Sequence, residues 1–246
     1  MIYNKIYDFC KVRNIGSARK NGLEPTPRVE YLINLLDSED IKYELDVFGD
    51  ETKYFNIILR GNSSKMVVAH HDIVNPNIDN ANDNSASVIN LIAIKKLRPN
   101  INAVILDGEE IGGIGSQRLS EQINDGDFGK IDWVLNLELT GSGGKHFFMG
   151  NYPGILSDKI IELFECPVIN TPFNDSVIFR KNGIDSTVIN PLPPLPINEK
   201  SIVKFNDVYL NYDLLYNCHS RYDTLDTISI YDMQEFVEEI VLKIID

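Results

Sequence analysis

The sequence is poor in the features that define several common protein classes. It has three cysteines, Cys10, Cys166 and Cys218, an odd number with no CxxC pair or zinc-ribbon spacing. That excludes a disulfide framework as the source of the fold. No apolar run approaches the roughly 20 residues needed to span a bilayer. The opening residues, MIYNKIYDFCKVRN, lack the long apolar core of a signal peptide, so a cytoplasmic protein is expected. Positive charge is scarce: 23 Lys and Arg stand against 36 Asp and Glu, a formal net charge of -13. Nucleic-acid binding needs cations to neutralise phosphates, and anionic membranes attract basic segments, so neither partner is expected. Neither an internal repeat nor an interdomain linker is evident.

What is present is an ordinary globular composition, 43% hydrophobic and 24% charged over 246 residues. That length suits one α/β domain or two small ones, with ample material for a core; a single domain over 1–246 is expected. An acidic field favours divalent metals or substrates with a free amine, although solubility alone explains it equally well.

The chain is organised around Val104-Ile105-Leu106-Asp107-Gly108-Glu109-Glu110-Ile111-Gly112-Gly113. A short apolar run bounded by turn residues suits a buried strand. It stops at two adjacent carboxylates, which disfavour each other's ionisation and call for a compensating cation. One reading gives Glu109 a proton-handling role and Glu110 a metal; the other is an acidic loop facing water.

Helical spacing marks 1–13, then a helix opened by Thr26-Pro27, then 85–97, 116–123, 154–164, 175–182 closed by Gly183, and 229–245. Strand patterns fall at 43–48, 55–59, 66–69, 103–106, 133–139, 146–149, 167–169 and 187–189. Residues 14–27 and the Asn-rich 75–84 read as loops, and Pro191 to Pro196 as an extended connection leading into a Tyr- and Asn-rich segment up to Asn217. Alternating strands and helices predict a three-layer α/β sandwich around a mixed, mostly parallel sheet. The chemically interesting residues follow strands, where open α/β sheets place their sites.

Those residues are His70, Asp72, Asp83, Glu109, Glu110, Glu138 and His219. Imidazole and carboxylate suit Zn²⁺, with Mn²⁺ or Co²⁺ as alternatives. One His and one carboxylate per metal, plus a bridging carboxylate, would make a five-ligand, two-metal site. His71 should point away from His70 along a strand, His146 should lie at the surface, and Cys218 should serve packing. Asp175 is either a helix cap or a site residue. Arg221 and Tyr222 are either exposed loop residues or substrate contacts.

Several segments, taken together and in order, resemble the M28 family of zinc exopeptidases. They are Ala69-His70-His71-Asp72, Asn80-Ala81-Asn82-Asp83-Asn84-Ser85-Ala86-Ser87, and Asp107-Gly108-Glu109-Glu110-Ile111-Gly112-Gly113-Ile114-Gly115-Ser116. Leu137-Glu138-Leu139, Asn174 to Phe179 with Asn182-Gly183-Ile184, and His219-Ser220-Arg221-Tyr222-Asp223-Thr224 continue the likeness. The resemblance implies a co-catalytic di-zinc exopeptidase that removes N-terminal residues from peptides or small amino-acyl substrates. Asp83 would bridge the metals, with His70, Glu110, Glu138 and His219 completing the set. Glu109 would be the general base and Asp72 would orient His70. The Asp83-Asn84 peptide bond would be cis.

Four positions depart from the family pattern: Asn80 and Ser87 replace glycines, Ser176 a histidine and Asp185 a proline. Residues 191–217 form a longer connection than many relatives carry, expected to shape the substrate pocket. Two alternatives share the fold: a single-zinc glutaminyl-cyclase-like or deacylating enzyme, and a non-catalytic interaction module. The complete ligand set counts against both. The related M20 arrangement is excluded, since His70 and Asp83 lie only 13 residues apart with no room for an inserted domain.

Overall fold

Short apolar runs pair into one nine-stranded mixed sheet. The computed structural model describes residues 2–13, 19–20, 24–191, 202–205, 208–211 and 218–246, with 19–20, 202–205 and 208–211 as backbone only. The strands are β1 (Arg19–Lys20), β2 (Glu44–Phe48), β3 (Thr52–Leu59), β4 (Lys65–His70), β5 (Asn102–Leu106), β6 (Trp133–Leu137), β7 (Phe147–Gly150), β8 (Val168–Ile169) and β9 (Ser186–Pro191). Their order is β1-β3-β5-β4-β6-β9-β7-β8, with β2 also paired to β3. The central strands β5, β4, β6 and β9 are parallel. β3 and β7 flank them antiparallel.

The central strands read as continuous apolar runs because both faces are covered. Along β4, Val67 and Ala69 join one buried cluster, while Met66 and Val68 join the other. This is the two-residue period of a strand sorting side chains between layers. The first cluster includes residues of α2 (Pro27–Ser38), α3 (Ala86–Leu97), α5 (Ile155–Leu163) and α7 (Ile230–Phe236). The second takes Leu119 and Ile123 from α4 (Ile114–Asn124) and Phe179 from α6 (Asp175–Lys181). A three-layer α/β sandwich results. Full burial of each large apolar side chain contributes roughly 1.5–3 kcal/mol.

Local chemistry sets the helix starts. Thr26 caps α2 by accepting from the Val29 N–H, and Pro27 occupies the first turn. Ser229 caps α7 in the same way through Asp232. The helix then continues through a wider turn, Val237–Val241, into Leu242–Ile245.

Three sequence expectations change. Within 14–27, β1 adds to the sheet, pairing Arg19 with Lys53 and Lys20 with Thr52. The loop at 75–84 ends as a helical turn, Ala81–Ser85, that runs into α3. Within 191–217, β10 (Ile202–Phe205) and β11 (Val208–Asn211) form a separate antiparallel pair. The rest of that connection, apart from Pro191, lies outside the described residues, and with it the reading that it shapes a pocket. Among the described residues, no helix is long and apolar enough to cross a membrane.

Candidate metal centre

The carboxyl ends of the parallel strands deliver the donors. His70 closes β4, Glu109 and Glu110 sit in the turn after β5, and Glu138 follows β6. Asp83 stands in the turn before α3, and His219 precedes α7. His70 Nε2 lies 3.3 Å from Asp83 Oδ1 and 3.4 Å from Glu138 Oε2. His219 Nε2 lies 3.0 Å from Asp83 Oδ2 and 2.9 Å from Glu110 Oε2. The two oxygens of Asp83 therefore face two different histidine–carboxylate sets.

Asp72 ties the strand ends together. Its Oδ1 accepts from the Glu109 N–H and its Oδ2 from the Glu110 N–H, each at 3.1 Å. The same Oδ1 lies 3.4 Å from His70 Nδ1. Two glycines after Glu109-Glu110 leave no room for a side chain: a Cβ on Gly113 would fall 2.7 Å from Ile178, and one on Gly115 would fall 2.4 Å from the Asp107 carbonyl oxygen. Gly113 also has a φ of +74°, which strains any residue with a Cβ.

The Asp83 turn is polar because its buried backbone has no strand or regular helix to satisfy it. Asp223 accepts from the N–H groups of Asn82 at 2.7 Å and Asp83 at 3.1 Å. Asn84 donates to the Leu137 carbonyl at 3.0 Å and accepts from the Leu139 N–H at 3.2 Å. The Asp83-Asn84 peptide bond is cis. Asn80 has a φ of +49°, a left-handed conformation that asparagine tolerates, so it can stand where the family pattern has glycine. Ser87 pairs its hydroxyl with Thr140 Oγ1 at 2.9 Å, joining α3 to the segment after β6. The other two departures are structural as well. Ser176 accepts from the Ser186 hydroxyl, and Asp185 pairs with Arg180 and accepts from the Leu156 N–H.

Arg28 is buried on α2 and donates to the His71 carbonyl, the Val12 carbonyl and Ser85 Oγ at 2.8, 3.2 and 3.1 Å. It buttresses both the end of β4 and the Asp83 turn. Nothing in a helical pattern marks an arginine for burial, and the sequence reading passed over it. Asp223 was also missed as a functional residue, although it stands within the quoted His219–Thr224 segment.

The electrostatics leave the clustered carboxylates short of positive charge. Burial, the largest cause, pushes the Glu109 carboxyl up to about 10; His70 opposes this, and Glu138, Asp175 and Glu110 reinforce it. Burial likewise raises Glu110 and Glu138. Burial would lower His70, yet Glu138, Asp72 and Asp83 around it raise it well above the ordinary range. Hydrogen bonds to Asp83, Cys218 and Glu110 raise His219. Among the described residues, the ion-pair partners of Asp83, Glu110 and Glu138 are histidines. Glu110 Oε1 is buried without a hydrogen-bond partner there. His70, Asp83 and Glu138 offer donor atoms within 4.8 Å of one another, as do Asp83, Cys218 and His219. Buried, under-compensated carboxylates with neighbouring imidazoles fit divalent cations such as Zn²⁺, Mn²⁺ or Co²⁺.

Of the other candidates, all but Cys218 fall outside this cluster. His71 is buried, 3.1 Å from the Phe55 carbonyl, and burial lowers it to about 4. His146 is exposed. Asn174, rather than Asp175, caps α6 by accepting from the Ser176 N–H. Asp175 is fully buried, where burial raises it to about 7, and it does not line the cavity. Tyr222 is exposed, with its hydroxyl accepting from Arg221, and also stands off the cavity. Cys218, expected to serve packing, instead donates to Asp83 Oδ2 at 2.6 Å.

A cavity of about 230 Å³ opens beside the centre. His70, Asp83, Glu109, Glu138 and His219 form its polar side; Leu139, Phe148, Phe173 and Val188 form an apolar wall. Asn190 lines it with Oδ1 buried and without a partner among the described residues.

Comparison with known proteins places this arrangement. The fold matches the LapA aminopeptidase of Legionella pneumophila with a TM-score of 0.71 and 12% identity, over 99% of this chain and 70% of that one. It matches a glutaminyl cyclase of an Acidobacteriales bacterium with a TM-score of 0.74 and 20% identity, over 99% and 92%. It matches BSAP, a zinc aminopeptidase of Bacillus subtilis, with a TM-score of 0.60 and 16% identity, over 80% and 50%. These likenesses bear on the fold. No curated protein matches the sequence. The sequence model of peptidase family M28 matches residues 56–244, from within β3 to the final helical turn. That match takes in every strand-end donor and more than half of the chain, and the chain accordingly belongs to peptidase family M28, whose members are metallopeptidase-type hydrolases.

Proposed function

We propose that the protein is a two-metal aminopeptidase with zinc as its resident ion. One observation carries this: Asp83 divides its two oxygens between the His70–Glu138 and His219–Glu110 sets. A single-metal site has no use for a second histidine–carboxylate set, which favours hydrolysis over the glutaminyl-cyclase alternative. The zinc named for BSAP supports the metal.

When bound, the cations supply Lewis acidity to a scissile carbonyl and make water easier to deprotonate. Glu109 lines the cavity and holds the proton: its carboxylate takes one from the attacking water and passes it to the departing amine. Cations nearby lower its raised pKa toward the working range. Asp72 orients His70 and holds the Glu109-Glu110 backbone. The acidic side of the cavity attracts a free α-amine, which selects peptide ends over interior bonds. The apolar wall suits a hydrophobic N-terminal side chain, and Asn190 Oδ1 offers an acceptor to the substrate backbone. The substrate is a peptide or small amino-acyl compound. A reducing, cytoplasmic setting belongs to this reading, because it keeps the Cys218 thiol free beside Asp83.

The test is hydrolysis of an aminoacyl-reporter panel by enzyme loaded with Zn²⁺, Mn²⁺ or Co²⁺, alongside Glu109→Gln. Leucyl and phenylalanyl reporters should lead. Glu109→Gln should keep its metal and lose about 100- to 10,000-fold in kcat. Full activity of that variant, or cyclisation of N-terminal glutamine without hydrolysis, refutes the reading.

A further inference from the structure

Beyond these five donors, a softer one reaches the centre. Cys218 precedes His219 in the chain, and both side chains meet the same oxygen, Asp83 Oδ2, at 2.6 and 3.0 Å. His219 has a φ of +60°, a left-handed turn. The Asp83, Cys218 and His219 donor atoms all lie within 4.8 Å of one another. A second observation concerns the carboxylate paired with His219. Glu110, which pairs with His219 at 2.9 Å, leaves Oε1 buried and without a partner among the described residues.

We propose that Cys218 Sγ is a sixth protein donor, so that Asp83, Glu110, His219 and Cys218 hold the cation on the His219 side. This deepens the two-metal reading above and rests on it. A cation held there would displace to solvent the thiol proton that Cys218 now gives to Asp83 Oδ2. Four protein donors would then hold a cation on the His219 side, and three, His70, Asp83 and Glu138, would hold one on the His70 side. Glu109 is a near neighbour of His70 and of Glu110. The two donor sets therefore differ, one including a thiol and the other only imidazole and carboxylate. A thiolate also biases the His219 side towards zinc over manganese, which prefers oxygen donors.

The experiment loads the full chain with one and two equivalents of Co²⁺ and records the near-ultraviolet sulfur-to-cobalt charge-transfer band. Zinc-edge X-ray absorption on the zinc form looks for a sulfur neighbour at about 2.3 Å. Wild type should show both signals. Cys218→Ser should lose both, and a Cys10→Ser/Cys166→Ser double variant should keep both. If Cys218→Ser fails to fold, the wild type and the double variant still decide. Two bound ions with no sulfur signal overturn the thiol donor and leave the two-metal reading standing. One bound ion with the sulfur signal overturns the two-metal reading and keeps the donor. No bound ion overturns both.

Discussion

The two histidines of the centre stand in opposite surroundings. The His70 side chain is 1% exposed, at the end of a strand with a parallel neighbour on each side. The His219 side chain is 49% exposed, on a turn outside the sheet. One half of the centre is built into the scaffold, with Asp72 fixing the His70 ring and two backbone N–H groups fixing Asp72. The other half arrives on a chain segment that follows 212–217 and is tied down through Asp223. Rigid elements hold a donor more accurately than loops do, so the buried half should dominate stability.

The largest expected effect breaks that contrast directly. His70→Ala leaves Asp83, Glu138 and Asp72 buried with their shared imidazole gone, which should cost about 3–5 kcal/mol. His219→Ala exposes its carboxylates to water and should cost under about 1 kcal/mol. Denaturant unfolding of the metal-free variants measures both; equal losses would abolish the distinction. Next comes Asp72→Asn, which takes an acceptor from the His70 ring and the Glu109-Glu110 backbone alike and should weaken metal binding about 10- to 100-fold. Chelator competition reads the affinities, and unchanged binding would contradict the positioning role of Asp72.

The smallest effect concerns pH. Burial raises Asp175 and Asp223 each to about 7 in the folded, metal-free chain. Unfolded aspartates titrate near about 3.9, so the native state holds extra protons between these values. Their favourable contribution is complete below about pH 4 and is lost as pH rises towards 7. Asp83 is shifted the opposite way, and its contribution is lost only below the ordinary aspartate range. The Tm of metal-free enzyme should therefore fall between these limits, and Asp223→Asn should flatten part of the fall. A Tm that climbs across this window would reverse the sign we assign. Saturating zinc should raise Tm at neutral pH, by about 2.7 kcal/mol of stabilisation at a hundredfold excess over Kd.

The donor candidates were legible because each follows an apolar run short enough to be a strand, and because the motif spacing accompanies them. His70, Glu109-Glu110 and Glu138 could be placed at strand ends from periodicity alone. Arg28 could not, since a helix pattern places arginine in water and only the convergence of three acceptors makes its burial favourable. Asp223 was in view but without a role, because its partners are backbone N–H groups 140 and 141 residues away. Cys218 read as packing because a lone thiol carries no spacing signal. Its meaning depends on which carboxylate faces it.

By itself the sequence determined the layers and the chemistry. Short continuous apolar runs bounded by turn residues marked strands covered on both faces, and the carboxylates and imidazoles after them marked a site for a cation or water. The tertiary structure alone decided the pairing of donors. Strand order puts β4 between β5 and β6, which brings His70, Glu109-Glu110 and Glu138 to one edge. Long-range closure then sets His219 and Cys218 against the far oxygen of Asp83. Those contacts join residues 135 and more positions apart; local periodicity reports only which way a side chain points, and not what it meets.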